Sequence, residues 1–242
     1  MSPGGEIYGC RMLPEARGSG WPALGRRTLL AAGVAGGLAP LTGAPPLLAD
    51  QALDVQILQT AASIENLAVV TYDAIMPLPA VSGTTATPTL KAILSSARDH
   101  HARHAEAYND AVGKLGGAAQ TAPNPGLAQV VSRERGRAVD LGSAVELILA
   151  VETAAAQTYQ SNVAALADAN ARRLSASILG VEAQHVAVLL IVRALVANRT
   201  PDLVTDASGV LGRLPEDVGR VGFPDSFAKT DQARPPGEGA VR

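Results

Sequence analysis

Two glutamates sit inside apolar stripes of helical period, and each repeats the surroundings of the other. Ile64-Glu65 is followed by Tyr72, and Val151-Glu152 by Tyr159, so that Tyr stands seven positions after Glu in both cases. Seven residues make nearly two turns of an α-helix, so each acid and its tyrosine share a face. Glu65 lies among Ile64, Leu67 and Ala68, and Glu152 among Leu149, Val151 and Ala155. An ionised carboxylate in such a setting is costly unless it is paired or bound to a cation. Any fold for this chain must therefore bring compensating groups to both acids.

The apolar spacing supplies the scaffold. Leu53, Ile57, Leu58, Ala61, Ile64, Leu67, Ala68, Thr71 and Ile75 mark a long amphipathic helix that ends at Pro77 and Pro79. A Gly/Thr/Pro-rich loop at 79–88 precedes a second helix over 89–115, closed by Gly116-Gly117. An irregular crossover at 118–143, with one short helix near 127–137, leads to a third helix over 144–167. A short polar link, 168–170, then opens the fourth helix, 171–197, which Asn198, Thr200 and Pro201 end. No strand signal of comparable length competes, so the reading is an all-α four-helix bundle with one long crossover between the second and third helices.

The second and fourth helices complete the pattern. Glu182-Ala183-Gln184-His185 lies within a run of Ile, Leu and Val, and His101-Ala102-Arg103-His104 repeats its three-residue step, with Tyr108 seven residues after His101. A three-residue offset sets two side chains on one face, where both reach the same ion. Glu65, His101, His104, Glu152, Glu182 and His185 are thus the candidate metal ligands. Tyr72, Tyr108 and Tyr159 stand beside them, as core fillers or as hydrogen-bond donors around the metal. His100 and Asp99 are rotated off the ligand face and read as solvated, as do Glu106, Glu134 and Glu146.

The ends of the chain differ in character. Gly25-Arg26-Arg27 precedes an uncharged run, 29–48, and resembles a twin-arginine export signal, with cleavage expected near Ala49 and Met12 a second candidate start. The alternative, an uncleaved membrane anchor, is opposed by Gly33, Gly36, Gly37, Pro40, Gly43, Pro45 and Pro46. The domains are then residues 1–49 as signal, 50–200 as bundle and 201–242 as an irregular Pro/Gly-rich extension draped on the surface, with a disordered end. The implied location is extracytoplasmic: periplasm or cell envelope, with no stable membrane span after cleavage.

Composition narrows the function. Net charge is −2, without a basic stripe, which argues against nucleic acid as a partner. Aromatic residues make up only 3%, so the core is built from Ala, Val, Leu and Ile. The single cysteine, Cys10, lies in the proposed signal, leaving no thiol chemistry in the mature chain.

With these residues in place the sequence resembles the ferritin-like superfamily, in particular exported bacterial ferritin-like proteins with a twin-arginine signal. That family has one Glu on each of its first and third helices and Glu-x-x-His on the second and fourth. Glu65, Glu152, Glu182, His185 and His104 match it. His101 departs from it, standing where the pattern has a glutamate. The resemblance implies one or two iron ions acting on Fe(II) with dioxygen or peroxide. Three carboxylates and three imidazoles also suit zinc, copper or manganese. The other reading is a non-enzymatic metal-binding or structural envelope protein with a degraded or histidine-enriched site. A monomer or dimer is expected rather than a cage.

Overall fold

In the computed structural model the described residues are 46–83, 87–198 and 229–241, and the side chains of 46–49 are not described. The chain divides into two units, Met1–Thr42 and Gly43–Arg242, and every described residue belongs to the second. The twin-arginine motif and Met12 lie outside the described residues.

Among the described residues six α-helices follow in order: α1 (Pro46–Ile75), α2 (Pro79–Ser82), α3 (Pro88–Lys114), α4 (Pro125–Arg135), α5 (Leu141–Asn162) and α6 (Ala169–Ala197), with a 3-10 turn at Val163–Ala165. There is no strand among the described residues. The four long helices are the expected ones, and the all-α bundle with a crossover is observed. α1 starts at Pro46 rather than Asp50, so Ala49 lies in its first turn. The loop expected at 79–88 contains the single turn α2, which Pro79 starts. The third long helix ends at Asn162 and tightens to 3-10 before the link.

Local chemistry explains the boundaries. Thr87 caps α3 by accepting from Leu90 N, with Pro88 in the first turn. At its far end Gly117 N donates to Val112 O and Gly116 N to Gly113 O, and Gly116 has φ +75°. This is a Schellman ending, and it needs a residue without Cβ at Gly116. Asp140 and Ser143 form a reciprocal capping box at α5, and Asp168 caps α6 through Asn170 N and Ala171 N. Buried Asp54 on α1 accepts from Ala167 N at 2.8 Å and Asp168 N at 2.7 Å, pinning the α5–α6 turn to the first helix.

α1 packs along α3 and α5 along α6, and α1 also lies against α5; α3 and α6 touch less extensively. α4 bridges α1 and α5. Alanines fill the contact faces, among them Ala61, Ala62, Ala68, Ala97, Ala144, Ala154 and Ala155, so the helices come close without large side chains between them. By length and composition α6 is the one described helix apolar enough to cross a membrane. It packs on α5 and carries Glu182 to the interior.

The C-terminal extension drapes over the bundle. Residues 229–241, read from the sequence as part of a segment with a disordered end, are hydrogen-bonded across α1 and α5. Gln232 N and Arg234 N donate to Gln157 Oε1 and Thr158 Oγ1 on α5. Thr60 Oγ1 on α1 donates to Pro236 O and accepts from Gly239 N, while Gln120 Nε2 donates to Gly239 O. Gly239 approaches so closely that a Cβ there would lie 2.1 Å from Ser63 Oγ. The polar stripe Gln59, Ser63 and Asn66 of α1 is covered in this way, with the loop before α4 adding bonds from Gln59 to Ala118 O and from Asn66 to Gln120 O.

Candidate metal centre

One long helix contributes each part of the site. α1 supplies Glu65, α3 His101 and His104, α5 Glu152, and α6 Glu182 and His185. All three carboxylates and His101 are 0% exposed; His104 and His185 are nearly buried. Every ligand candidate read from the sequence is brought to one place. The convergence follows from the apolar periodicity, because each of these side chains belongs to the stripe its helix turns inward.

The six residues form two overlapping groups whose donor atoms lie within 4.8 Å of one another: Glu65, His101, His104 and Glu182 in one, His101, Glu152, Glu182 and His185 in the other. His101 and Glu182 belong to both. His101 Nδ1 lies 2.7 Å from Glu65 Oε2, and its Nε2 lies 2.9 Å from Glu152 Oε1, so the ring spans the two groups. Glu182 turns Oε1 towards His104 Nδ1 at 3.0 Å and Oε2 towards His185 Nδ1 at 3.8 Å. His185 Nδ1 also lies 3.3 Å from Glu152 Oε2. Each half therefore holds one glutamate and one histidine of its own and shares a central pair.

Two of the three tyrosines do more than fill volume. Tyr159 Oη on α5 donates to Glu65 Oε1 on α1 at 2.7 Å, and Tyr72 Oη on α1 donates to Glu152 Oε1 on α5. Each serves the glutamate of the other helix, not the one seven residues before it. Tyr108 Oη, buried beside Tyr159, has no hydrogen-bond partner. The sequence reading of His100 as solvated needs correction. It is half-buried, and its Nδ1 lies 3.1 Å from His185 Nε2. Asp99 is exposed as expected and pairs loosely with Arg98.

The electrostatics follow from burial against pairing. Burial opposes the charged form of Glu65 and Glu152, but the imidazoles of His101, His104 and His185 outweigh it and hold both carboxyls below their usual range, Glu152 the further. Glu182 goes the other way: burial and the neighbouring charges of Glu65 and Glu152 raise it. Burial works against the charged form of the histidines as well, yet the surrounding carboxylates lift His101 well above its ordinary value and take His104 and His185 to about 9. His100 shifts down, through burial and then the adjacent His185. Burial, with the carboxylates nearby, pushes all three tyrosine hydroxyls up, keeping them as neutral donors.

These residues fit a bound cation. Glu182 Oε1 and Oε2 and His104 Nδ1 are buried without any hydrogen-bond partner, although Glu182 Oε1 and His104 Nδ1 face each other at 3.0 Å. Orphaned buried donors and acceptors are rare in folded proteins, and a metal ion is one of the few species that satisfies a carboxylate and a neutral imidazole together. Comparison with curated proteins and with solved structures returns no match. Residues 53–195, the span holding all six ligand candidates, match the family model described as the ferritin-like domain, and the chain belongs to that family.

Proposed function

We propose that this chain is an exported ferritin-like metal protein that binds one or two iron ions at Glu65, His101, His104, Glu152, Glu182 and His185 and oxidises Fe(II) with dioxygen or peroxide. The observation that carries the metal reading is Glu182, a fully buried carboxylate with neither oxygen hydrogen-bonded, set between His104 of α3 and His185 of its own helix. Iron supplies one-electron redox chemistry when bound. The protein supplies the rest. Glu65, Glu152 and Glu182 offer hard oxygen donors, His104 and His185 each offer Nδ1, and the hydroxyls of Tyr159 and Tyr72 fix the orientation of Glu65 and Glu152. The Ala, Val and Leu packing around them excludes bulk water.

Anaerobic titration of the purified protein with Fe(II), followed by exposure to air, tests this reading. Wild type takes up iron and oxidises it faster than buffer does, and Glu182→Gln loses both properties. A wild-type chain that binds no metal sinks the proposal.

One observation favours a second reading. His101 closes hydrogen bonds to both Glu65 and Glu152, doing without an ion what a bridging cation would do. On that reading the protein is a non-enzymatic transition-metal binder or structural envelope protein, and it holds zinc, copper or manganese without turnover. Export rests on Arg26-Arg27 and the apolar run behind it. Replacing both arginines by lysine leaves the chain in the cytoplasmic fraction if the reading is right; unchanged fractionation removes it.

A further inference from the structure

His100 has no place in the ligand pattern, yet it touches a ligand candidate. His185 turns Nδ1 to Glu152 Oε2 and Glu182 Oε2, at 3.3 and 3.8 Å, so Nδ1 is its ligating nitrogen and Nε2 faces away from the ion. That Nε2 meets His100 Nδ1 at 3.1 Å. The two rings are 13° from parallel, and their centroids, 5.3 Å apart, are separated by roughly the N···N distance plus one ring width. The rings therefore lie edge to edge in nearly one plane, the arrangement of an N–H···N hydrogen bond rather than a face-to-face stack. With Nδ1 given to a metal, Nε2 of His185 must carry its proton, and His100 Nδ1 is the acceptor.

Among the described residues no hydrogen bond to His104 Nε2, the outer nitrogen of the other half, is formed, and the His104 ring is tilted 34° from that of His100 at a centroid distance of 6.2 Å. His100 also lines a cleft of about 340 Å³ between α3 and α6, together with His185, Tyr72, Ser96, Gln184 and Val188. The His185–His100 bond thus stands between the centre and the one face of the bundle where two long helices pack loosely.

We propose that His100 is a positioning residue of the metal centre: it accepts the Nε2 proton of His185, fixes Nδ1 as the ligating nitrogen, and strengthens the half-site of Glu152 and His185 relative to that of Glu65 and His104. The inference rests on the metal reading given above. Outer partners of ligating histidines are worth 10–100-fold in metal affinity.

The test uses the full chain and Co(II), titrated without oxygen and followed by visible absorption and calorimetry. His185→Ala identifies the binding step that belongs to its half-site. His100→Leu, which keeps the bulk and removes the acceptor, weakens that same step by about 10–100-fold and leaves the other unchanged. His100→Asn places an amide oxygen where Nδ1 stood and recovers most of the loss. The proton NMR spectrum of the Co(II) protein gives a readout that mere packing does not move. The shifted N–H signal of His185 persists in water for wild type and Asn, and exchanges away in Leu. Melting of the metal-free variants shows that Leu folds, and the Asn rescue holds the argument if Leu melts lower. Wild-type affinity and a persistent N–H signal in His100→Leu overturn the proposal. A wild type that takes up no Co(II) overturns the metal reading itself, a result distinct from His100-independent binding.

Discussion

Glu182→Gln should move stability in opposite directions with and without metal. In the metal-free protein the substitution keeps the shape of the side chain and removes a charge that burial, Glu65 and Glu152 all oppose. Both Glu182 oxygens lack hydrogen bonds, and a buried unsatisfied group costs about 1–3 kcal/mol, more when charged. Against this stands the lost attraction of His104 at 3.0 Å and of His101 and His185, each at 3.8 Å. His101 retains its closer contacts to Glu65 and Glu152, His185 retains Glu152 at 3.3 Å, and His104, partly open to solvent, can release its proton. A net gain of about 1–2 kcal/mol remains, which for a domain of this size raises Tm by about 2–8 °C. With metal at 100 times its Kd, wild type gains about 2.7 kcal/mol by linkage and the variant gains nothing, so the order of the two melting temperatures reverses. Calorimetric scans in chelator and in Co(II) measure both signs. If metal-free Glu182→Gln melts well below wild type, Glu182 is a structural ion-pair partner and the cation argument fails.

Three further outcomes follow from the same contacts. His104 and His185 both have pKa values of about 9 against an ordinary 6.5, so the stability they confer is complete below pH 6.5 and is lost as pH rises through 9. Metal-free Tm should fall over that window while Co(II) affinity rises, about tenfold per pH unit for each proton displaced; a flat profile for both would contradict the assignment. His101→Glu restores Glu-x-x-His on α3 but gathers four buried carboxylates and deletes the bonds at 2.7 and 2.9 Å. It should cost the metal-free form roughly 3–5 kcal/mol by thermal melting and raise bound iron towards two ions by elemental analysis. Tyr159→Phe strips Glu65 of a 2.7 Å donor, for a loss of about 1.5–3 kcal/mol in denaturant titration, whereas a role confined to core filling predicts almost none.

The bundle and the clustering of the ligand candidates were legible because both follow from apolar periodicity. An apolar residue every three or four positions over more than twenty residues is a buried helix face, and a glutamate on that face is an expense that only a partner or an ion offsets. The polar stripe of α1 carried no such signal. At Gln59, Ser63 and Asn66, backbone groups of 118–124 and 236–241 take the place of water. Periodicity records that a face is polar, not what satisfies it. The tyrosines were placed by reasoning along one helix, so their crossing to the opposite glutamate was missed. His100 was set aside because neighbouring residues on a helix point about 100° apart. That rotation takes it away from Glu65 and towards α6, where His185 stands, and only the packing of α3 beside α6 makes the neighbour visible.

The substitution at His101 ties these features together. With a glutamate there, four carboxylates would face one another across a dry interior and would need cations or protons to coexist. An imidazole at that position bonds Glu65 and Glu152 at once, and with His104 and His185 charged, three positive rings balance three carboxylates without any metal. Pairing is still incomplete, because Glu182 and His104 remain without hydrogen bonds. The unmet valence lies on His104, in the half of the site that lacks an outer histidine, and on Glu182, which both halves share. On the proposed reading, a metal ion would enter a site that is already near charge balance and would displace protons from histidines instead of filling a bare acidic cage. Such a centre would exchange metal against protons, so its occupancy would depend on the pH of its compartment as well as on metal supply.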